Sequence, residues 1–235
     1  YILLLNFSAI PSAIGLIISS AFTPAAGYGG FLGVLITGFR RAAFSNEAGV
    51  GSAAIAHSAA KSDHPIQEGI VALLEPFIDT IVICTMTALV IIFFNMDGAF
   101  VYGGEGGSVI LNSTGQAVGG VDLTSMAFDS VIPGFSYILT IAIVLFAFST
   151  MISWSYYGLQ SWTYLFGKKQ STEMIYKALF TMFVFIGAVV KMGNVLDFSD
   201  AMIFAMMVPN MIGLFILAPV VKVELNKYLK AIKKK

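Results

Sequence analysis

Charge is what this sequence has least of. Only 11 % of its 235 residues are Asp, Glu, Lys or Arg, against about 25 % in a typical soluble domain. With 57 % hydrophobic residues and a mean hydropathy of +0.86, an ordinary water-soluble fold is excluded. Cysteine is almost absent as well. The one thiol, Cys84, lies in an apolar run and has no partner for an internal disulfide, which argues against redox chemistry. No Gly-x-x-x-x-Gly-Lys loop occurs, so nothing supports an ATP-driven pump. His57 and His64 belong to no His-Glu-x-x-His motif or metal-site spacing, and no metal cofactor is expected. The opening Tyr1-Ile-Leu-Leu-Leu has neither an initiator Met nor the basic flank of a signal peptide, which predicts a piece of a longer protein.

The charges that are present are unevenly placed. Six of the 13 Lys and Arg residues lie at or beyond Lys222. Residues 222–235 are therefore expected to form a basic tail facing a membrane surface, not nucleic acid. Six apolar segments are expected to cross a lipid bilayer, at about 1–22, 31–60, 69–94, 135–166, 175–190 and 201–221. Pro11 and Gly15 interrupt the first, and 23–30 reads as a turn. The fourth is long enough to overrun the bilayer or tilt. A polar loop at 95–122 holds eight glycines and the acids Asp97, Glu105 and Asp122, with no Lys or Arg. Residues 124–131 read as a short amphipathic helix. Lys61, Lys168, Lys169 and the terminal lysines fall on alternate connectors. The excess of basic residues on cytoplasmic loops then puts them and the C-terminus in the cytoplasm, with the glycine-rich loop outside. The expectation is an all-α, multi-pass protein of the cell (inner) membrane with about six spans.

The second segment carries the most chemistry. Arg40, Arg41, Asn46 and Glu47 fall within eight residues near its middle. Each charge at the centre of an uninterrupted membrane helix costs about 2.5–3.5 kcal/mol on insertion scales. Gly49 and Gly51 each lower helix propensity by a further ~1 kcal/mol relative to Ala. A helix that breaks inside the membrane is predicted here, and such backbone is tolerated only where it lines a cavity. A re-entrant loop or two short helices at the interface, with the charges solvated, is the blander alternative. Arg40 and Arg41 read as structural, pairing with acids of a neighbouring span.

Glu75 and Asp79 of the third segment, four residues apart, share one helical face around Pro76. They are read either as part of a sodium or proton site or as partners of Arg40 and Arg41. With Glu47 they outnumber the two arginines by one, a balance that suits a bound monovalent cation. On the fourth segment Ser149, Thr150, Ser153 and Trp154 form an i, i+1, i+4, i+5 patch. Its hydroxyls either bond their own helix's carbonyls or supply oxygens to a hard cation, with Trp154 shaping a substrate pocket.

Two long strings carry a family resemblance. They are Phe44-Ser-Asn-Glu-Ala-Gly-Val-Gly-Ser-Ala-Ala-Ile-Ala-His-Ser-Ala-Ala-Lys-Ser-Asp-His-Pro and Glu75-Pro-Phe-Ile-Asp-Thr-Ile-Val-Ile-Cys-Thr-Met-Thr-Ala-Leu. The chain resembles the alanine or glycine:cation symporters, the sodium:alanine symporter family. The likeness is densest over 38–90, with Ala43 and Ala54 where many relatives have Gly and Pro. It implies the second half of a leucine-transporter-like inverted-repeat fold and sodium-driven symport of alanine or glycine. On that view 1–22 is the last helix of the first repeat, 23–221 is the second repeat with its discontinuous helix at about 31–60, and 222–235 is the tail. Phe44, Ser45, Asn46, Thr150 and Trp154 are expected at the substrate. Ser149, Thr150 and Ser153 are expected at sodium, and Arg40, Arg41, Glu47, Glu75 and Asp79 as structural or coupling charges. The partner is the missing N-terminal half, without which this piece is expected not to transport. The alternative is a proton-coupled or other amino-acid carrier of the same fold, or an ion channel; an enzyme lacks any convergent nucleophile and base or metal site.

Overall fold

The computed structural model describes residues 1–22, 31–103 and 108–233. The turn predicted at 23–30 and the acid Glu105 lie outside the described residues. The helices are α1 (Ile2–Leu5), α2 (Ile10–Ala21), α3 (Phe31–Ser45), α4 (Ser52–His57), α5 (Pro65–Phe94), α6 (Gly120–Asp129), α7 (Phe135–Phe166), α8 (Gln170–Val189) and α9 (Met192–Ile232).

Four of these, α5, α7, α8 and α9, are long and apolar enough to cross a membrane. Of the six expected spans, four are continuous helices of that kind among the described residues, and the first two segments are interrupted. The first segment is divided by a non-helical Asn6 and a 3-10 turn at Phe7–Ala9, upstream of the predicted Pro11–Gly15 interruption. Pro11 sits in the first turn of α2, where a missing N–H costs nothing. The second segment is divided between α3 and α4. α7 keeps its predicted bounds. α8 begins at Gln170, earlier than expected. α9 runs for 41 residues through Pro209 and Pro219, so Lys222, Lys227 and Lys230 ride on the same helix that the apolar run begins. Along the first half of α7 and most of α8 the apolar side chains are exposed, as expected of helices that meet lipid or further protein, not water.

The chain forms two compact units, 1–35 with 81–148 and 36–80 with 149–235. In the first, α1 and α2 pack on the last turns of α5 through Ile2, Ala13, Leu89, Val90 and Phe93, joined by Ala127 of α6. The glycine-rich segment is not wholly irregular. It holds an antiparallel sheet of β1 (Phe100–Tyr102), β2 (Val109–Leu111) and β3 (Ala117–Val118), in that order, with Phe100 opposite Leu111 and Val109 opposite Val118. The all-α expectation is corrected by these strands. Runs of two or three residues are too short for alternation to mark them in sequence. Phe100, Val109 and Leu111 face Leu123 of α6 in a second core, while Val101 points away. Asn95 Oδ1 accepts the Phe100 N–H at 2.9 Å and Asn112 Nδ2 donates to the Gly98 carbonyl at 2.6 Å, so two side chains hold the sheet's approach. Asp129 Oδ1 accepts the Ser136 N–H at 2.9 Å. That backbone hydrogen bond, first among several, lowers the Asp129 pKa from the ordinary carboxylate value.

Two outcomes follow for the first unit. Phe100→Ala removes a buried ring and costs about 3 kcal/mol; limited proteolysis should then cut 95–130 faster, while Val101→Ala, on the exposed face, leaves the rate unchanged. Asp129 stabilises its turn above the unfolded carboxyl pKa, and that contribution disappears as pH falls through the lower folded value. Proteolytic protection of 129–136 should therefore weaken on acidification in the wild type but stay flat in Asp129→Asn, which keeps the acceptor without the charge.

Candidate functional site

The second unit is built around the interruption between α3 and α4. α3 ends because Asn46 turns its side chain onto the chain ahead: Asn46 Oδ1 accepts the Ala48 N–H at 3.1 Å. Three left-handed residues follow, Glu47 (φ 54°), Gly49 (φ 82°) and Gly51 (φ 104°). Glycine adopts that conformation freely, whereas Glu47 is an unusual occupant. Ser52 opens α4, and its hydroxyl donates to the Glu47 carboxylate across the turn. The predicted break is thus present. It is buried: Asn46 is 6 % exposed, and Val50 and Ser52 are 2 % exposed.

Neighbouring helices bond the break on both sides. From α5, a π-helical segment at Phe77–Cys84 follows Pro76 and presents Asp79 and Thr80; such widened turns recur at functional sites. Ser45 Oγ donates to Asp79 Oδ2 at 2.5 Å, and Asn46 Nδ2 donates to Thr80 Oγ1 at 2.8 Å. From α9, Asn210 Nδ2 donates to the Gly49 carbonyl at 2.8 Å. The same amide crowds Gly51, where an added methyl would lie 3.1 Å from Asn210 Cγ and Oδ1.

Phe44 and Trp154 each pack, as does Met207, against the buried trio Ala43, Val50 and Ile203. A cavity of about 620 Å³ opens on the Trp154 side, lined mainly by apolar groups and by Ser52, Tyr157, Tyr176 and Asn210 among its polar ones. A second pair holds α4: His57 Nδ1 lies 2.6 Å from Glu68 Oε1, and its Nε2 lies 3.6 Å from Glu75 Oε2.

The structure corrects the pairing expected for the arginines. Their acids come from α9, not from Glu75 and Asp79. Arg40 Nε lies 2.6 Å from Asp200 Oδ2, Arg40 Nη2 lies 3.5 Å from Asp197 Oδ1, and Arg41 Nη2 lies 3.4 Å from Asp200 Oδ2. Arg41 also sits over the Phe44 ring at 5.7 Å. The physical reason is reach and burial. Asp200 is 3 % exposed, and a carboxylate so buried requires a charged donor, whereas Asp79 and Glu75 are met by a hydroxyl and an imidazole. Charge balance changes accordingly: two α9 acids offset the two arginines, and Glu47, Glu75 and Asp79 have no arginine partner. On α7, Ser153 Oγ donates to the Ser149 carbonyl at 3.1 Å, the self-bonding alternative for that hydroxyl. Among the described residues, no group of three or more His, Cys, Asp or Glu is placed to hold a metal ion.

Asp197, Asp200, Thr80 and Asn210 are the participants that sequence reading missed. A signal existed for three of them. Asp197 and Asp200 are ionisable groups on the apolar helix, and Asn210 follows a proline inside it, where the Ala205 carbonyl loses its helical donor.

A buried helix break, held by side chains from a bundle of apolar helices, is the construction of a secondary transporter. The chain belongs to the sodium:alanine symporter family, whose profile matches residues 1–235; that is a family of transporters, not of enzymes. It is 40 % identical over 228 residues to the sodium/alanine symporter AgcS of Methanococcus maripaludis, covering 97 % of this chain and 47 % of that protein. A probable sodium/glutamine symporter, GlnT of Bacillus subtilis, is 32 % identical over 230 residues, 97 % of this chain and 45 % of its own length. The sodium/proton-dependent alanine carrier protein of Bacillus sp. PS3 is 30 % identical over 232 residues, covering 97 % and 52 %. The chain thus spans about half the length of the curated relatives it matches. No solved structure matches it.

The break's geometry predicts the effect of glycine replacement. Gly51→Ala forces a left-handed backbone and meets Asn210, and it should cost about 1–3 kcal/mol, read as a lower unfolding temperature in detergent. Gly38→Ala, a helical glycine with open space around it, should be neutral or slightly stabilising.

Proposed function

We propose that the whole protein carries a small neutral amino acid, alanine or glycine, across the cell (inner) membrane by symport with sodium. The observation that carries this reading is the buried break at 46–51, with Phe44 and Trp154 each packed against the cluster that includes Val50 of the break, in a chain of the sodium:alanine symporter family. Backbone groups at such a break can meet an amino acid's carboxylate and ammonium where no water competes.

In this reading Phe44, Ser45 and Asn46 from the break, and Thr150 and Trp154 from α7, contact the substrate. Ser149, Thr150 and Ser153 supply oxygens to sodium, a ligand set suited to a hard cation. Glu47, Glu75 and Asp79 are the charges through which ion binding is coupled to the break. The fold is the second half of a leucine-transporter-like inverted repeat: 1–22 closes the first repeat, 23–221 is the second, and 222–235 is a basic cytoplasmic tail. The segment at 95–122 lies outside the cell, because it has no basic residue. The N-terminal half of the protein completes the site. Each sodium ion entering with the membrane potential releases about 2.3 kcal/mol per 100 mV, enough for tens-of-fold accumulation of a neutral solute.

The test is radiolabelled alanine uptake by the whole protein in proteoliposomes under an inward sodium gradient, an inward proton gradient or neither. Uptake is expected with sodium, and it should fall about tenfold or more in Asn46→Ala and in Trp154→Ala at equal amounts of folded protein, a loss of about 1.4 kcal/mol. Uptake driven by protons alone would replace the coupling ion. No uptake of any small amino acid under either gradient would overturn the reading.

A further inference from the structure

α9 follows the break along its length. Asp200, Ile203, Met207 and Asn210 are spaced three, four and three residues apart, so they form one stripe on that helix. Their partners occur in the same chain order. Asp200 holds Arg40 and Arg41 on the last turns of α3. Ile203 packs with Ala43 and Val50, and Met207 joins that cluster. Asn210 bonds the Gly49 carbonyl and lies against Gly51 at the entry to α4. The two polar members stand at the two ends of the stripe, one on the α3 arm and one on the glycine turn.

The interruption removes the helical ladder that would otherwise fix α3 and α4 to each other. Within this unit a continuous helix bonds both the α3 arm and the turn that leads into α4. Arg41 extends the same link to Phe44, since its guanidinium lies 3.4 Å from Asp200 Oδ2 and 5.7 Å from the ring of Phe44. Displacing Asp200 therefore loosens a side chain expected at the substrate, although among the described residues Asp200 is paired with the arginines alone.

We propose that α9 is the splint of the broken helix, with Asp200 and Asn210 as positioning residues that hold the α3 arm and the glycine turn in their binding geometry. This rests on the reading of the break as the substrate site, but the splint is measurable without transport. Hydrogen–deuterium exchange of the whole protein, in detergent and without substrate, reads the amides of 42–52 directly. Asp200→Asn and Asn210→Ala should each raise exchange there about tenfold and leave 95–130 unchanged. Asp200→Glu, which keeps the charge, should recover most of the protection. In uptake assays the same two variants should raise the alanine KM at least fivefold with a smaller change in kcat.

Unchanged exchange in 42–52 for both variants would overturn the splint, and so would a uniform rise across the chain, which marks plain destabilisation. If either variant fails to fold, Ile203→Val and Asn210→Ser are the milder substitutions on the same stripe, with about a threefold rise confined to 42–52 as the expected result. Confined exchange changes in the variants, together with no amino-acid transport by the wild type, would keep the splint and remove the transport reading.

Discussion

A polypeptide that stops being helical away from water must find partners for the N–H and C=O groups it releases, and each one left bare costs about 1–3 kcal/mol or more. That requirement explains most of what surrounds 46–51. The Asn46 carboxamide bonds Ala48 on one side and Thr80 on the other. Asn210 takes the Gly49 carbonyl. Ser52 and Glu47 bond each other across the turn. Three left-handed residues in five positions let the chain reverse tightly enough for these partners to reach it. The helices α5, α7 and α9 can pack about the break because its polar groups are already engaged.

The same constraint sorts the charges. Guanidinium groups on α3 meet carboxylates on α9 as direct ion pairs, the stronger kind of hydrogen bond. The acids on α5 and at the turn receive a serine hydroxyl, a second serine hydroxyl and a histidine. A direct ion pair therefore anchors one side of the break, while the carboxylates on the other side meet hydroxyl and imidazole groups. The widened helical turn at 77–84 lies on that second side and carries Asp79 and Thr80.

Much of this was legible beforehand. Arg40, Arg41, Asn46 and Glu47 beside Gly49 and Gly51 could not form an uninterrupted membrane helix, and the chain breaks there. The apolar run of 135–166 became α7 with the same bounds. The resemblance in the strings around Asn46 and Glu75 agrees with the family match over 1–235. The partner of a charge was far less legible. Glu75 and Asp79 were as plausible for Arg40 as Asp200, because side chains 35 or 160 residues apart meet only when helices pack. The strands at 100–118 were hidden for a related reason. Three residues do not make a pattern, and their pairing depends on hydrogen bonds across a loop.

Composition, apolar runs and the placing of a few charges by themselves determined that this chain needs a lipid surrounding, roughly where its apolar helices fall and that the second segment is interrupted, because desolvating charge and backbone carries a penalty. Tertiary structure decided which side chains answer that penalty. It put Asp200 on Arg40 and Arg41, Asn210 on the glycine turn and Trp154 against the cluster of Ala43, Val50 and Ile203, since these choices depend on which helix faces lie within about 3–4 Å of one another, a property of the folded bundle and not of any segment within it.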